Sequence, residues 1–466
     1  MTQSILFDAD LIGRHNLTGP RYTSYPTAPQ FHERFDEAAY RRFAQLSNEN
    51  GQEGAPDKPL SLYFHLPFCA TICYYCACNK IVTRDHTRAA PYLERLFREI
   101  EIQGELFDRD RPVAQLHWGG GTPTFLDHEQ MQALMAQTAR HFSLKADDSG
   151  EYSIEIDPRC VEPDTIALLR QVGFNRMSIG VQDFEPAVQK AVNRVQSEDE
   201  TRQAIEAARR EGFKSVSLDL IYGLPHQSVA SFERTLDKVL DIDPDRLSVY
   251  NYAHLPHLFK PQRRIDADAL PSPADKLEIL QLIIHKLIDA GYLFIGMDHF
   301  AKPGDELAHA QREGSLHRNF QGYSTHGECD LVAMGVTAIS KIAASFSQNV
   351  RGTEEYFKLI DAGRLPVLRG LELDDDDLLR RAVITELMCH FRLDFAAIDA
   401  RFGIRFVDYF ADTLETLKPM AADGLLTLTD KAIEVTPAGR LLVRNICMAF
   451  DRYLERKPEQ RFSKVI

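Results

Sequence analysis

Between about Ser61 and Ala301 the chain alternates short apolar runs with longer amphipathic stretches. The runs are SLYFHLPF, QLHW, YSIEID, RMSIGV, SVSLDLIYG, RLSVYNYA and FIGMDHFA, each rich in β-branched or aromatic side chains and short enough to be a buried strand. Between them, AAPYLERLFREIEIQ, DTIALLRQVG and SFERTLDKVLDID place apolar residues at helical spacing. A strand-then-helix repeat predicts a parallel sheet of α/β class. Six or seven such units favour a barrel or partial barrel over a doubly wound sheet, and a barrel collects its working residues at the C-terminal strand ends and in the loops that follow.

The flanks break this rhythm. GPRYTSYPTAPQF carries three prolines among aromatics and predicts an extended arm. After about residue 365, LELDDDDLLRRAVITEL predicts a helix whose first turn sets carboxylates against the positive end of its dipole. TLETLKPMAADGLLTLTDKAIEVTPAGRLLVRNICMAF then reads helix, two short strands, helix, a winged-helix-like pattern. The predicted division is an N-terminal arm over 1–55, a barrel domain with a substrate-covering extension over 56–365, and a mainly helical C-terminal domain over 366–466.

Composition narrows the classes. A 466-residue chain that is 44% hydrophobic and 26% charged has material for two or three globular domains, and no run approaches the roughly 18 apolar residues of a membrane span. A net charge of −14 argues against a general nucleic-acid surface, because phosphate binding draws on clustered Lys and Arg. MTQSILFDADLIGRHN lacks the layout of a secretory signal, so a cytoplasmic address is expected. Four of the eight cysteines fall within ten residues, whereas Cys160, Cys329, Cys389 and Cys447 are scattered and read as small core residues.

Cys69, Cys73 and Cys76 follow the first predicted strand directly. Spacings of four and three let one loop wrap three thiolates around one face of a cubane cluster and leave the fourth iron without a protein ligand. A structural zinc site and a wholly structural cluster are the alternatives, although zinc usually takes two separated ligand pairs. Cys78, one residue beyond Cys76, is expected to stay unligated. At the second strand end, HWGGGTP places Gly119, Gly120 and Gly121 in a row, which permits φ > 0 and lets backbone approach a ligand closely; a tight turn alone would also explain them. No P-loop Lys-Ser or Lys-Thr follows. Glu155, Asp157, Gln182, Asp183 and Asp219 recur at later strand ends, where each could be a structural pair, and where together they suggest one ligand pocket. Arg194 could hold a carboxylate.

The C-x3-C-x2-C spacing behind an apolar strand resembles the signature of the radical S-adenosylmethionine superfamily. GPRYTSYPTAP, LYFHLPFCATICYYCACNKIVTR, LHWGGGTPTFL, EIDPR, GFNRMSIGVQDF, DLIYGLP, LSVYNYAHLP, FIGMDHFA, LHRNFQGY and LLVRNICMAFDRYL, spread over nearly the whole chain, resemble the oxygen-independent coproporphyrinogen III oxidase family. The resemblance implies a partial (β/α)6, TIM-like barrel with an N-terminal arm and a mainly helical C-terminal domain, one 4Fe-4S cluster on Cys69, Cys73 and Cys76, two molecules of S-adenosylmethionine, and oxidative decarboxylation of two propionates to vinyls, giving protoporphyrinogen IX in haem synthesis. It implies contacts from Tyr63, Gly120 and Glu155 to the cluster-bound molecule. Tyr75, Gly121, Thr122, Gln182, Arg194, Asp219, Ala253 and Ile339 would touch the second, and Tyr63, Glu155, Ile339, Phe320 and Gln321 would serve activity. Tyr75 and Ala77 stand where the family more often has Phe and Gly.

The same resemblance implies a tetrapyrrole substrate, a low-potential electron donor of flavodoxin or ferredoxin type, an electron acceptor that nothing in the sequence names, and a monomer without nucleic-acid or membrane partners. A macrocycle with four carboxylates needs a cationic rim, for which Arg21, Arg263, Arg264 and Arg318 are candidates, each also readable as a solvated surface residue. The haem chaperone of the same superfamily is the rival reading; Cys78 and the TSYPT arm resemble the oxidase. A DNA-binding regulator would need a basic face that the C-terminal segment lacks.

Overall fold

Six of the seven apolar runs form parallel strands in the computed structural model, which describes residues 5–49 and 58–454. They are β1 (Leu60–Leu66), β2 (Pro112–Gly120), β3 (Glu151–Ile156), β4 (Arg176–Gln182), β5 (Ser215–Tyr222) and β6 (Arg246–Asn251). Neighbours in sequence are neighbours in the sheet, all parallel. The crossovers carry α1 (Ala89–Gly104), α2 (His128–His141), α3 (Pro163–Gln171), α4 (Glu198–Arg210) and α5 (Val229–Ile242). The starts of α2 and α4 are set by capping boxes, Asp127 with Gln130 and Ser197 with Glu200.

Strand periodicity sorts the two faces. On β5, Val216, Leu218, Leu220 and Tyr222 are buried, while Ser217, Asp219 and Ile221 are partly exposed on the other face. β3 and β4 alternate likewise at Ser153, Glu155, Ser178, Gly180 and Gln182. Trp118, fully buried on β2, packs edge-on against Phe174 at 4.8 Å between ring centres.

Beyond β1 the sheet runs through β7 (Asp330–Met334), parallel to β1, and then antiparallel through β8 (Ile339–Ile342), β9 (Ser345–Asn349) and β10 (Val367–Glu372). Among the described residues it does not close on itself, so the barrel is partial. The seventh run, FIGMDHFA, is not a single strand. It folds back as a hairpin, Leu293–Gly296 against His299–Ala301, with Gly296 and Met297 both at positive φ.

The described residues group into two units. One comprises Phe31–Ser272 and Glu328–Glu372 and holds the sheet from β1 to β10. The other comprises the residues up to Gln30, Pro273–Gly327, and those from Leu373 onward. Residues 273–327, placed by the sequence division within the barrel segment, pack in this second unit: the Tyr323 hydroxyl donates to the Met388 carbonyl at 3.1 Å and Gln311 Nε2 to the Cys389 carbonyl at 3.0 Å. Its C-terminal part has the predicted mix of helices and a small sheet, with Ala432–Val435 between Arg392–Asp394 and Leu426–Leu428. The carboxylates opening helix Asp375–His390 also serve as ion-pair partners, since Arg452 bridges Asp374, Asp376 and Asp377.

The N-terminal segment is less extended than predicted. Helix Ala9–His15 starts on an Asp8 cap, and Glu37–Glu49 is a helix burying Tyr40, Phe43 and Ala44; residues 50–55 lie outside the described residues. Pro20 and Pro26 stand in irregular chain between the two helices, as their missing N–H groups dictate. Arg444, fully buried, donates from Nε to the Pro20 carbonyl at 2.8 Å, and Asn445 Nδ2 donates to the His15 carbonyl at 2.6 Å.

In the sheet-bearing unit, Asp330 is buried at the start of β7 and accepts from Arg111 at 2.8 Å, Lys58 at 2.6 Å, the Ala343 N–H at 2.9 Å and the Ser47 hydroxyl. Burial alone would raise its carboxyl, but the cation of Lys58 and these donors hold it below the ordinary value. Arg111→Met should cost about 3 kcal/mol, because it strips one partner from a buried pair. The shift in denaturant midpoint measures it, and an unchanged midpoint would refute this role.

Candidate active site

The three cysteines lie on a loop fixed at both ends. Leaving β1, Phe68–Cys69 pairs in parallel with Ile81–Val82; the Ile81 N–H donates to the Pro67 carbonyl at 2.7 Å and the Thr83 N–H to the Cys69 carbonyl at 2.9 Å. The middle of the loop is held from outside: Tyr74 N–H donates to the Val192 carbonyl (2.9 Å), Asn193 Nδ2 to the Ile72 carbonyl (2.7 Å) and Gln262 Nε2 to the Tyr75 carbonyl (3.0 Å). Tyr75 packs on the buried cluster of Val188, Val192, Leu224, Tyr252 and Ile265.

So anchored, Cys69, Cys73 and Cys76 all line one cavity of about 300 Å³ at the C-terminal ends of the parallel strands. None of the chain's cysteines is in a disulfide. Two sulfurs already have donors: Thr122 Oγ1 at 3.7 Å from Cys69 Sγ and Arg194 Nη1 at 3.6 Å from Cys73 Sγ. The hydrogen bond from Cys78, and then Lys80, draw the Cys76 thiol below its ordinary value, and Cys78 is raised in return. Burial pushes Cys69 up to about 11.

The glycine run brings this loop against the strand ends. A Cβ on Gly121 would stand 2.6 Å from the Phe68 carbonyl oxygen and 2.7 Å from the Pro67 carbonyl carbon, while the Gly121 and Thr122 N–H groups donate to the Leu66 and Phe68 carbonyls at 2.8 and 2.7 Å. Gly120 has φ +111°, and a Cβ there would meet the His65 ring at 2.6 Å. A Cβ on Gly119 would lie 2.9 Å from both Glu155 Oε1 and His117 Nε2. The glycines therefore admit the protein's own backbone and side chains, and Gly120 and Gly121 line the cavity as well.

Glu155 is half-exposed, with Oε2 accepting from the Gly120 N–H at 3.0 Å and Oε1 facing His117 Nε2 at 3.4 Å. His117 is fixed in turn by Ser153 Oγ at 2.5 Å and by the stacked ring of Tyr63, 5.8 Å away between centres. Burial alone would raise the Glu155 carboxyl, but His117 and the Gly120 N–H hold it below its ordinary value. Asp219 goes the other way: burial, and then the charge of Glu155, push it up to about 6. Gln182 has φ +68° at a β-bulge that slips register between Gly180 and Gln182, and it lines the cavity. Arg194 is buried and shared between Asp157 (3.1 Å), the Gly180 carbonyl (2.5 Å) and Gln196 (3.0 Å).

The cavity wall thus gathers Cys69, Cys73, Cys76, Tyr75, Gly120, Gly121, Thr122, Glu155, Gln182, Arg194 and Asp219. Tyr63 stands behind it, against His117, and Ala253 and Ile339 are not among its lining residues. Asp183 is buried elsewhere, accepting from Thr235 at 2.7 Å and Gln227 at 2.5 Å. Phe320 and Gln321 belong to the other unit, in the turn of the hairpin His317–Asn319 and Gly322–Ser324. Sequence reasoning missed Lys80, Arg159, Ser178, Gly180 and Tyr250 on the wall, and took Cys160 for core. Period two on β4, counted back from Gln182, would have found Gly180 and Ser178.

The model of the radical SAM superfamily matches residues 63–239, and the model of the HemN C-terminal domain matches residues 373–442. The chain is 56% identical over 466 residues to the oxygen-independent coproporphyrinogen III oxidase of Pseudomonas aeruginosa, covering 100% of each chain. It is 51% identical to that of Escherichia coli over 465 residues, 100% of this chain and 99% of the relative. It resembles the solved structure of coproporphyrinogen III oxidase from Escherichia coli, described as a radical SAM enzyme, with a TM-score of 0.91 at 49% identity over 97% of this chain and 100% of that one.

Because Asp219 is raised to about 6, the folded protein holds that proton where the unfolded chain has lost it, so this group's contribution to stability falls as pH rises from about 4 through 6. Denaturant titrations of ligand-free wild type and Asp219→Asn across that window should show the difference moving in the variant's favour as pH rises. A constant difference would show that the carboxyl titrates normally.

Proposed function

The chain belongs to the oxygen-independent coproporphyrinogen III oxidase family, and from that membership we propose that it converts two propionates of coproporphyrinogen III to vinyl groups in haem synthesis. Each propionate loses a β-hydrogen, its carboxylate as carbon dioxide, and one electron that an acceptor must take. The observation that carries the reading is the convergence of three loop thiols and the Glu155 carboxylate on one cavity at the strand ends.

The donor set suits an iron-sulfur cluster. Three soft ligands come from one loop, and Thr122 and Arg194 already direct donors at two of the sulfurs, as ligating thiolates require. Cys69, Cys73 and Cys76 would hold a 4Fe-4S cluster, which with S-adenosylmethionine supplies a primary carbon radical able to take hydrogen from an unactivated C–H bond. The chain's own part is to bind and orient. Glu155, kept ionised by His117, accepts from an amino or hydroxyl group, and Gly120 and Tyr63 complete that side. Asp219, Gln182, Thr122, Gly121 and Tyr75, with Arg194 fixed by Asp157, would form the place of a second S-adenosylmethionine, and the resemblance adds contacts from Ala253 and Ile339. Phe320 and Gln321 would also serve activity.

No helix among the described residues is long and apolar enough to cross a membrane. The reading further assigns the protein to the cytoplasm, as a monomer working with a flavodoxin- or ferredoxin-type donor.

Anaerobically reconstituted protein given S-adenosylmethionine, reductant and coproporphyrinogen III should yield 5'-deoxyadenosine and protoporphyrinogen IX. Tight haem binding without decarboxylation would reject the assignment. Cys73→Ala should lose most of the about four irons per chain of a cubane cluster. Cys78→Ala should keep them, and loss of iron in that variant would overturn the three-ligand assignment.

A further inference from the structure

The unit that carries Phe320 and Gln321 also buries a cation without a counter-ion. Arg318, on the strand His317–Asn319, is only 8% exposed, and its Nε and Nη1 nitrogens have no hydrogen-bond partner. Its guanidinium lies over the Tyr323 ring at 4.7 Å. That ring engages the face of the guanidinium and leaves in-plane N–H groups to find acceptors. Among the described residues no carboxylate pairs with Arg318. Its surroundings are cationic: burial first, and then the charges of Arg21 and Arg318, lower the Arg444 guanidinium below its ordinary value. Gln321 Nε2, in the turn of the same hairpin, is a further buried donor without a partner.

A buried guanidinium with idle donors is costly unless an anion meets it. The other arginines considered for substrate carboxylates are differently engaged. Arg21 pairs with Asp298, Arg263 is exposed and donates to the Pro256 carbonyl at 2.9 Å, and Arg264 is exposed over the Tyr74 ring. We propose that Arg318 is the anchor of a carboxylate site built into this hairpin, and that its ligand is a propionate of the tetrapyrrole. The identity of that ligand rests on the function proposed above; the anion site does not. Arg318 is therefore a specificity residue, whose carboxylate partner is supplied by the substrate.

The test uses the reconstituted holoenzyme and coproporphyrin III, the redox-stable tetracarboxylate, in a fluorescence titration. Arg318→Gln should weaken binding about tenfold or more, the loss of hydrogen bonds to a charged group, with iron content unchanged. Arg318→Lys should fall between. The tetramethyl ester, without carboxylates, should bind both proteins alike. Binding of the tetracarboxylate to Arg318→Gln within twofold of wild type overturns the proposal. A second arm needs no porphyrin: sodium propionate should raise the thermal midpoint of wild type above that in sodium chloride at equal ionic strength, and should not do so for Arg318→Gln. If wild type neither binds nor converts the tetrapyrrole but responds to propionate in this way, the assigned reaction fails and the anion site stands. If neither the tetracarboxylate nor propionate distinguishes the two proteins, the anion site itself is wrong.

Discussion

Everything in the cavity depends on how closely two pieces of backbone meet. Gly121 lies against the carbonyls of Leu66, Pro67 and Phe68 at separations that no Cβ could share, and the N–H groups of Gly121 and Thr122 donate into that same turn. This contact joins the end of β2 to the mouth of the cysteine loop. Through Gly120 it also fixes Glu155, whose carboxylate takes that residue's N–H. Thiols and carboxylate come from strands distant in sequence, yet one close approach sets the spacing between them.

The second constraint is the alternation of the strands. In a parallel sheet covered by helices, one side of each strand must be apolar, which leaves every second residue of the other side available for chemistry. Glu155 on β3, Ser178, Gly180 and Gln182 on β4, and Asp219 on β5 occupy such positions. Their charges then adjust one another. Glu155, supported by His117, keeps its negative charge, and that charge helps Asp219 keep its proton. Two carboxyls on strands separated by β4 thus differ in protonation over a range of pH, one suited to accepting hydrogen bonds and the other able to donate.

Much of this was legible in the sequence because its causes are local. Apolar runs of strand length, helical spacing between them, and cysteines directly behind a strand each state a physical requirement in consecutive residues. What was not legible depends on partners far along the chain. FIGMDHFA has a strand's composition, and only the positive φ at Gly296 and Met297 turns it into a hairpin. EAAYRRFAQLSNE, a helix with one buried face, was absorbed into an arm inferred from prolines upstream. The glycine run was read as room for a ligand or as a tight turn; its missing side chains also make room for the protein itself, which only the folded chain displays. Cys160 and Arg159 looked ordinary because their exposure on the cavity wall follows from the turn after β3, which has no sequence signature of its own.

The bonds from Arg444 and Asn445 to the carbonyls of Pro20 and His15 bear on how such a chain is made. On a ribosome His15 and Pro20 emerge more than four hundred residues ahead of the two side chains that bond their carbonyls, so this part of their unit cannot be completed during most of synthesis. The sheet-bearing unit has its six parallel strands in hand long before. A chain halted before Arg444 would lack both of these bonds and hold the segment only through earlier partners such as Asp298 and Asp423. Final assembly is thus a late, long-range closure that every full-length copy performs once.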